Sequence, residues 1–235
     1  MERRVVITGL GAISPIGLNI DESFDSALKG KSGISRIESF DSHDISVKIA
    51  AEVKNFDPVQ LLGKKQSKRF DRFAQFACVA SKQATEHGNL DINSIDPEKF
   101  AVIIGSGVGG IMTLSEQFTV MINEGPQRVS PFLIPMMLPD MASGRVSMEL
   151  GAKGPNFCPV SACATGADSI GEAAEMIKRN TVDIALAGGS EAAICPIAIA
   201  GFASCRALSS NNDDPVRGSR PFDLKRNGFV LGEGA

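Results

Sequence analysis

Tryptophan and tyrosine are absent from this 235-residue chain, and 13 phenylalanines carry all of its aromatic surface. The usual stacking platforms for nucleic-acid bases are therefore missing, with phenylalanine the one remaining substitute. Positive charge is not in excess either. The 24 Lys and Arg against 27 Asp and Glu leave a net charge of −3, which gives no electrostatic reason to expect nucleic acid as a partner. No apolar run reaches transmembrane length, and MERRVVITG opens directly on a strand-like run instead of a signal peptide, so no membrane association is expected. The five cysteines (Cys78, Cys158, Cys163, Cys195 and Cys205) contain no Cys-x-x-Cys pair, and only two histidines accompany them. That pattern argues against a zinc site or a redox dithiol, and neither a metal nor a cofactor is expected. An odd cysteine count without a secretory signal points to reduced thiols in the cytoplasm or an equivalent compartment. Linkers, low-complexity tracts and short-period repeats are missing too.

What is present is an ordinary globular composition, 43% hydrophobic, in a chain long enough to bury a core. Strand-like and helix-like runs alternate along it. RVVITGLG predicts a strand over 3–9 that ends in a glycine turn. A helix is expected over 21–29, with Asp21 as N-cap and Phe24, Ala27 and Leu28 as its apolar stripe. SVKIAAEV reads as strand. Phe70, Phe73, Ala74, Ala77, Cys78 and Ala84 recur at helical spacing and predict a long helix over 67–87, stopped by Gly88. FAVIIGSG (100–107) and VDIALAGG (182–189) read as buried strands, with helices between them over about 111–124, 137–149 and 165–179. This alternation predicts an α/β protein with buried, mixed sheets. The final GFVLGEGA (228–235) reads as a turn entering a strand that nothing afterwards completes, which is the pattern expected of a fragment.

Four features carry possible chemistry. GSGVGG at 105–110 fits the dinucleotide-binding spacing after a strand, but the acid that should stand about twenty residues on falls at Glu124, inside a predicted helix end. Glycines that merely admit close backbone approach explain it as well. Lys64, Lys65, Lys68 and Arg69, with Arg72, form a basic cluster that reads either as a solvated helix face or as a dock for an acidic partner. His43 sits in polar FDSHDIS, and His87 in the last turn of a helix where an imidazolium would suit the dipole. Both read as structural. The fourth feature is Cys163, between strand-like PNFCPVSA and a helix whose predicted stripe is Ala167, Ile170, Ala173, Ala174 and Ile177. A helix N-terminus there would favour thiolate and offer free N–H groups to an oxyanion. The other reading is a small buried filler.

RVVITGLGAISPIG, GSGVGG, GPNFCPVSACATGADSIGEAA, DIALAGGSEAA, RALS and SRPFDLKRNGFVLGEGA together resemble the N-terminal part of the β-ketoacyl-acyl carrier protein synthases, particularly the type II condensing enzymes of fatty acid synthesis. The resemblance covers all 235 residues, so 1–235 is expected to be one N-terminal β-ketoacyl synthase domain. It implies a thiolase-like α/β fold, in which two similar halves make an αβαβα layered sandwich, and a homodimer. It further implies Cys163 as acyl-accepting nucleophile and backbone oxyanion donor. Val108, Phe132 and Leu133 would line the acyl pocket. Lys64, Lys65, Lys68, Arg69, Arg128 and Arg206 would belong to the docking surface for acyl carrier protein. The two histidines and the lysine that the family uses for decarboxylation belong to motifs of its C-terminal half, and neither His43 nor His87 matches them. The implied activity is 3-oxoacyl-[acyl-carrier-protein] synthesis, with condensation beyond the reach of these 235 residues alone. Runner-up readings are a catalytically silent chain-length-factor-like subunit and a polyketide condensing enzyme.

Overall fold

The computed structural model describes residues 3–235. After an extended N-terminal segment come α1 (Ile20–Leu28), the two-residue strands β1 (Ser35–Arg36) and β2 (Ile49–Ala50), short α2 (Pro58–Leu62) and α3 (Lys64–Ser67), and long α4 (Arg72–His87). The central part holds β3 (Phe100–Gly105), α5 (Ile111–Glu124), α6 (Leu133–Met137), α7 (Met141–Leu150), β4 (Asn156–Phe157), α8 (Thr165–Lys178), β5 (Ile184–Gly189) and α9 (Pro196–Ser204).

A three-stranded parallel sheet in the order β4-β3-β5 organises the molecule. β3 and β5 run in full register from Phe100 opposite Ile184 to Gly105 opposite Gly189. All six residues of β3 are buried, so its side chains alternate between two covered faces, as in any parallel sheet wrapped by crossover helices. Phe100, Val102 and Ile104 join the cluster that contains Phe73, Phe76 and Ala77 of α4 and Ala142 and Val146 of α7. Ala101 and Ile103 join Ala173 of α8 and Val182 on the opposite side. The result is a helix–sheet–helix sandwich.

Several local expectations give way to tertiary context. The segment over 3–9 is extended but pairs with no strand among the described residues. It runs instead along α4. A Cβ at Gly9 or Gly11 would lie 2.1 or 1.9 Å from the carbonyl oxygens of Ala84 and Ala80, so TGLG is glycine-rich because backbone meets helix backbone there. Asn19, not Asp21, caps α1 through Oδ1, which accepts from Glu22 N–H at 2.8 Å. Phe24 and Leu28 of the predicted stripe are 61% and 71% exposed. The long helix begins at Arg72 because Asp71 accepts from Phe73 N–H and starts it there, and Gly88 ends it as expected. Residues 228–235 form isolated bridges, Leu208 to Phe229, Ala51 to Gly232 and Glu191 to Gly234, instead of a strand. α9 was not anticipated.

Candidate active site

Chemistry-bearing residues gather at the carboxyl ends of the three parallel strands, where open α/β sheets place their ligands. β3 ends in the 105–110 loop, β4 leads to the Cys163 turn, and β5 leads to Glu191. Of the strand predicted before Cys163, only Asn156–Phe157 forms.

Ala162, Cys163 and Ala164 make a single 3-10 turn directly before α8. Ala162 has φ +54°, a left-handed conformation that costs a non-glycine residue about 1 kcal/mol. The turn is held from several directions. Thr165 N–H donates to the Ala162 carbonyl, Ala164 N–H to the Ser161 carbonyl at 3.2 Å, and Ser161 N–H to Thr165 Oγ1 at 2.9 Å. The Ser161 hydroxyl is anchored on Asp168, one turn along the helix. Cys163 is thereby left exposed, and no side chain caps α8. An exposed Cys163 sulfur at the positive end of a 14-residue helix, on a residue whose own backbone N–H is not among the donors just named, is suited to attack on a thioester carbonyl, with that N–H for the resulting oxyanion. The buried face of α8 is Thr165, Ser169 and Ala173; Ala167 and Ile170 of the predicted stripe are exposed.

The remaining cysteines differ. Cys78 and Cys195 are buried and Cys158 partly so, and burial pushes all three thiols up, away from thiolate. Cys205 is exposed but stands at the C-terminal end of α9, where the dipole opposes negative charge; its Sγ lies 3.2 Å from the Gly201 carbonyl oxygen.

Val108, 46% exposed, tips the loop between β3 and α5. Gly110 N–H donates to the Met137 carbonyl at 3.0 Å, which ties this loop to α6, the helix of Leu133, with Phe132 at its N-cap. Val108, Phe132 and Leu133 are thus carried by two adjoining segments. A residue that sequence reading missed completes the loop: the Glu191 carboxylate accepts from Ser106 Oγ and from the N–H groups of Gly107 and Val108 at 2.8–3.1 Å. A carboxyl group therefore already fills the amide nest that a dinucleotide phosphate would need, which removes the dehydrogenase reading of GSGVGG. Nothing linear signals the pairing, since 85 residues separate Ser106 from Glu191.

Lys64, Lys65, Lys68 and Arg69 are exposed on α3 and the turn after it. The Arg69 guanidinium lies 4.8 Å from the Phe132 ring centroid, so the cluster reaches α6. Arg128 and Arg206 are exposed on separate turns. Arg72 does not belong to the cluster. It turns inward to Glu233, with Nη2 to Oε1 at 2.7 Å and Nε to Oε2 at 2.9 Å. His43 contacts Asp41 and Asp44 on a polar loop. His87 Nδ1 accepts from Leu10 N–H at 3.1 Å, which ties the N-terminal segment to the last turn of α4.

The chain matches the family model described as beta-ketoacyl synthase, N-terminal domain, over residues 2–235. It is 48% identical over 234 residues to the 3-oxoacyl-[acyl-carrier-protein] synthase 2 of Synechocystis sp., and this covers 100% of the chain and 56% of that relative. The chain thus spans about half the length of the curated relatives it matches. Among solved structures, the ishigamide ketosynthase/chain length factor superposes with a TM-score of 0.90 at 30% identity, over 100% of this chain and 57% of that one. A type II PKS acyl-carrier protein in complex with its ketosynthase bound to the hexaketide contains a chain matching with a TM-score of 0.87 at 30% identity, again over 100% and 57%. With its parallel sheet, its glycine loop and its cysteine turn in the places described, the chain belongs to the β-ketoacyl synthase family, whose N-terminal domain it carries.

Proposed function

We propose that these residues carry the acyl-accepting part of a 3-oxoacyl-[acyl-carrier-protein] synthase, with Cys163 as nucleophile. The observation that supports it most is the Cys163 turn itself: an exposed thiol on a left-handed turn at the uncapped start of α8. The Cys163 sulfur attacks the thioester carbonyl of an acyl carrier protein, and the backbone N–H of Cys163 receives the oxyanion. Collapse expels the carrier thiolate, which takes up the proton that Cys163 lost. In the second step a malonyl carrier thioester loses carbon dioxide, and its enolate carbon attacks the acyl-enzyme. That forms a carbon–carbon bond and returns the Cys163 thiolate. This step needs groups to promote decarboxylation. His43 and His87 are engaged elsewhere, so the 235-residue chain is expected to accept acyl groups but not to elongate them.

The carrier protein would dock on Lys64, Lys65, Lys68, Arg69, Arg128 and Arg206, with Val108, Phe132 and Leu133 near the acyl chain. A homodimer would cover the apolar face of α5, where Leu114, Phe118, Met121 and Ile122 are 42%, 57%, 38% and 68% exposed at helical spacing. A cytoplasmic location suits the free thiols. A chain-length-factor-like role is the second reading, favoured by the similarity to a ketosynthase/chain length factor structure; the cysteine retained at 163 argues against it.

The test is mass spectrometry after incubation with an acyl carrier thioester. One acyl group on the Cys163 peptide is expected, with none in Cys163→Ala. An adduct that persists in Cys163→Ala, or an unmodified wild type, overturns the assignment.

A further inference from the structure

One carboxylate holds the loop between β3 and α5. Glu191 follows the end of β5, and its backbone is fixed by a reciprocal pair with Gly234, each N–H donating to the other's carbonyl at 2.9 Å. From there its side chain crosses to the neighbouring strand end. Oε1 accepts from Ser106 Oγ at 3.0 Å, while Oε2 accepts from Gly107 N–H at 2.8 Å and Val108 N–H at 3.1 Å. Ser106, 1% exposed, passes the contact on, since its Oγ accepts from Gly109 N–H at 3.0 Å. Three consecutive amides are thus bound to Glu191 directly or through one hydroxyl.

Two further facts place this clamp beside the thiol. A Cβ at Gly107 would stand 2.9 Å from Glu191 Oε2 and 3.7 Å from Ala162 Cα. Position 107 is therefore wedged between the carboxylate and the turn that carries Cys163. Burial raises the Glu191 carboxyl above its ordinary range, and the bonds from Ser106, Gly107 and Val108 oppose that rise, so the loop and the carboxyl hold each other. Without that carboxylate, the Gly107 and Val108 N–H groups lose their acceptor and the loop loses its fixed distance from the turn.

We propose that Glu191 is a positioning residue that fixes the Val108 loop against the Cys163 turn and so sets which acyl chains reach that thiol; this rests on the acyl-accepting reading above. Glu191 itself touches no reacting atom. Its effect is on access.

Glu191→Ala and Glu191→Gln test it. In hydrogen–deuterium exchange, the amides of 107–109 should exchange about tenfold faster in Glu191→Ala, the effect of losing roughly one hydrogen bond. Glu191→Gln, which keeps one acceptor oxygen, should fall between. Unchanged protection in β3 and β5 shows that the variants are folded. Access is read twice: by acylation of Cys163 with a long and a short acyl thioester, and by alkylation of Cys163 with iodoacetamides bearing long and short chains. Both long-to-short rate ratios should rise severalfold in Glu191→Ala. Unchanged exchange at 107–109 overturns the clamp, and faster exchange with unchanged alkylation ratios overturns its control of access. If the alkylation ratio shifts while wild type accepts no acyl group, the acyl-transfer reading of Cys163 fails and the clamp stands.

Discussion

Asp71 shows how much of this fold hangs on single polar residues. It is 3% exposed, and its two oxygens serve two helices. Oδ1 accepts from Phe73 N–H at 3.3 Å and starts α4, while Oδ2 accepts from Thr113 N–H at 2.9 Å and Thr113 Oγ1 at 2.6 Å in the first turn of α5. Burial raises the Asp71 carboxyl above its ordinary value of 3.8, although the bonds from Thr113, Phe73 and Arg72 act the other way. The folded state therefore holds this proton more tightly than the unfolded chain does. The consequence is a stability contribution that falls as pH rises from 3.8 through the raised folded-state value. Asp71→Ala leaves three donors without an acceptor and should cost about 2–3 kcal/mol, while Asp71→Asn should cost about 1 kcal/mol. Urea unfolding across that pH window should show a shallower fall for both variants than for wild type. Equal pH slopes would remove Asp71 as the source. The left-handed Ala162 belongs to the same scale: in the sequence it is one small residue of SACATG, and only its φ of +54° reveals what the turn does with it.

At the scale of elements, the turn after α3 reaches the N-cap of α6, where the Arg69 guanidinium lies over the Phe132 ring. If this face receives an acidic carrier protein, Lys65→Glu with Arg69→Glu should raise the apparent KM for a carrier-borne acyl donor in Cys163 loading by roughly tenfold, with a smaller change in kcat. A small acyl thioester without carrier should load as before, and added salt should weaken the wild-type advantage. An equal loss with both donors would mean damage to α6 instead of lost docking. The elements themselves were legible to different degrees. β3, β5, α5 and α8 could be read because their apolar runs and glycine ends are local signals, and each lies within two residues of its expected bounds. α9 was missed because PIAIAGFAS is apolar on every side and carries no helical period. The basic run from Lys64 to Arg72 reads as one face in sequence, yet Arg72 has the opposite fate, since its partner Glu233 lies 161 residues away. The candidate site divides the same way. Cys163 and the glycine loop announce themselves through strand–turn–helix punctuation, whereas Glu191 acquires its role only when parallel pairing brings the ends of β3 and β5 together.

At the scale of the whole molecule, the N-terminal segment borders an open seam. Val5, Val6, Ile7 and Leu10 of the N-terminal segment are 36–79% exposed, and together with the outer edge of β5, α4 and Ile170, Ala173 and Ile177 of α8 they line an apolar groove of about 370 Å³. That explains why a run which reads as strand forms none: RVVITG has the composition of a buried strand, but a strand is defined by its partner, and the groove lies between this segment and β5. It also explains the exposure of Ile170 in the predicted α8 stripe, since Ile170 faces the groove. Two unpaired backbone edges beside apolar surface are a template for further pairing. The amides of 3–9 should therefore exchange far faster than those of β3, and the 235-residue chain should bind a hydrophobic dye and associate as its concentration rises. A charge at the centre of the seam, Ile7→Lys, should reduce both effects without unfolding the protein, because Ile7 is 79% exposed and contributes little to the core. Light scattering and dye fluorescence measure this directly. If Ile7→Lys associates as readily as wild type, the seam is not the adhesive surface, and the exposed face of α5 takes its place as the site where copies meet.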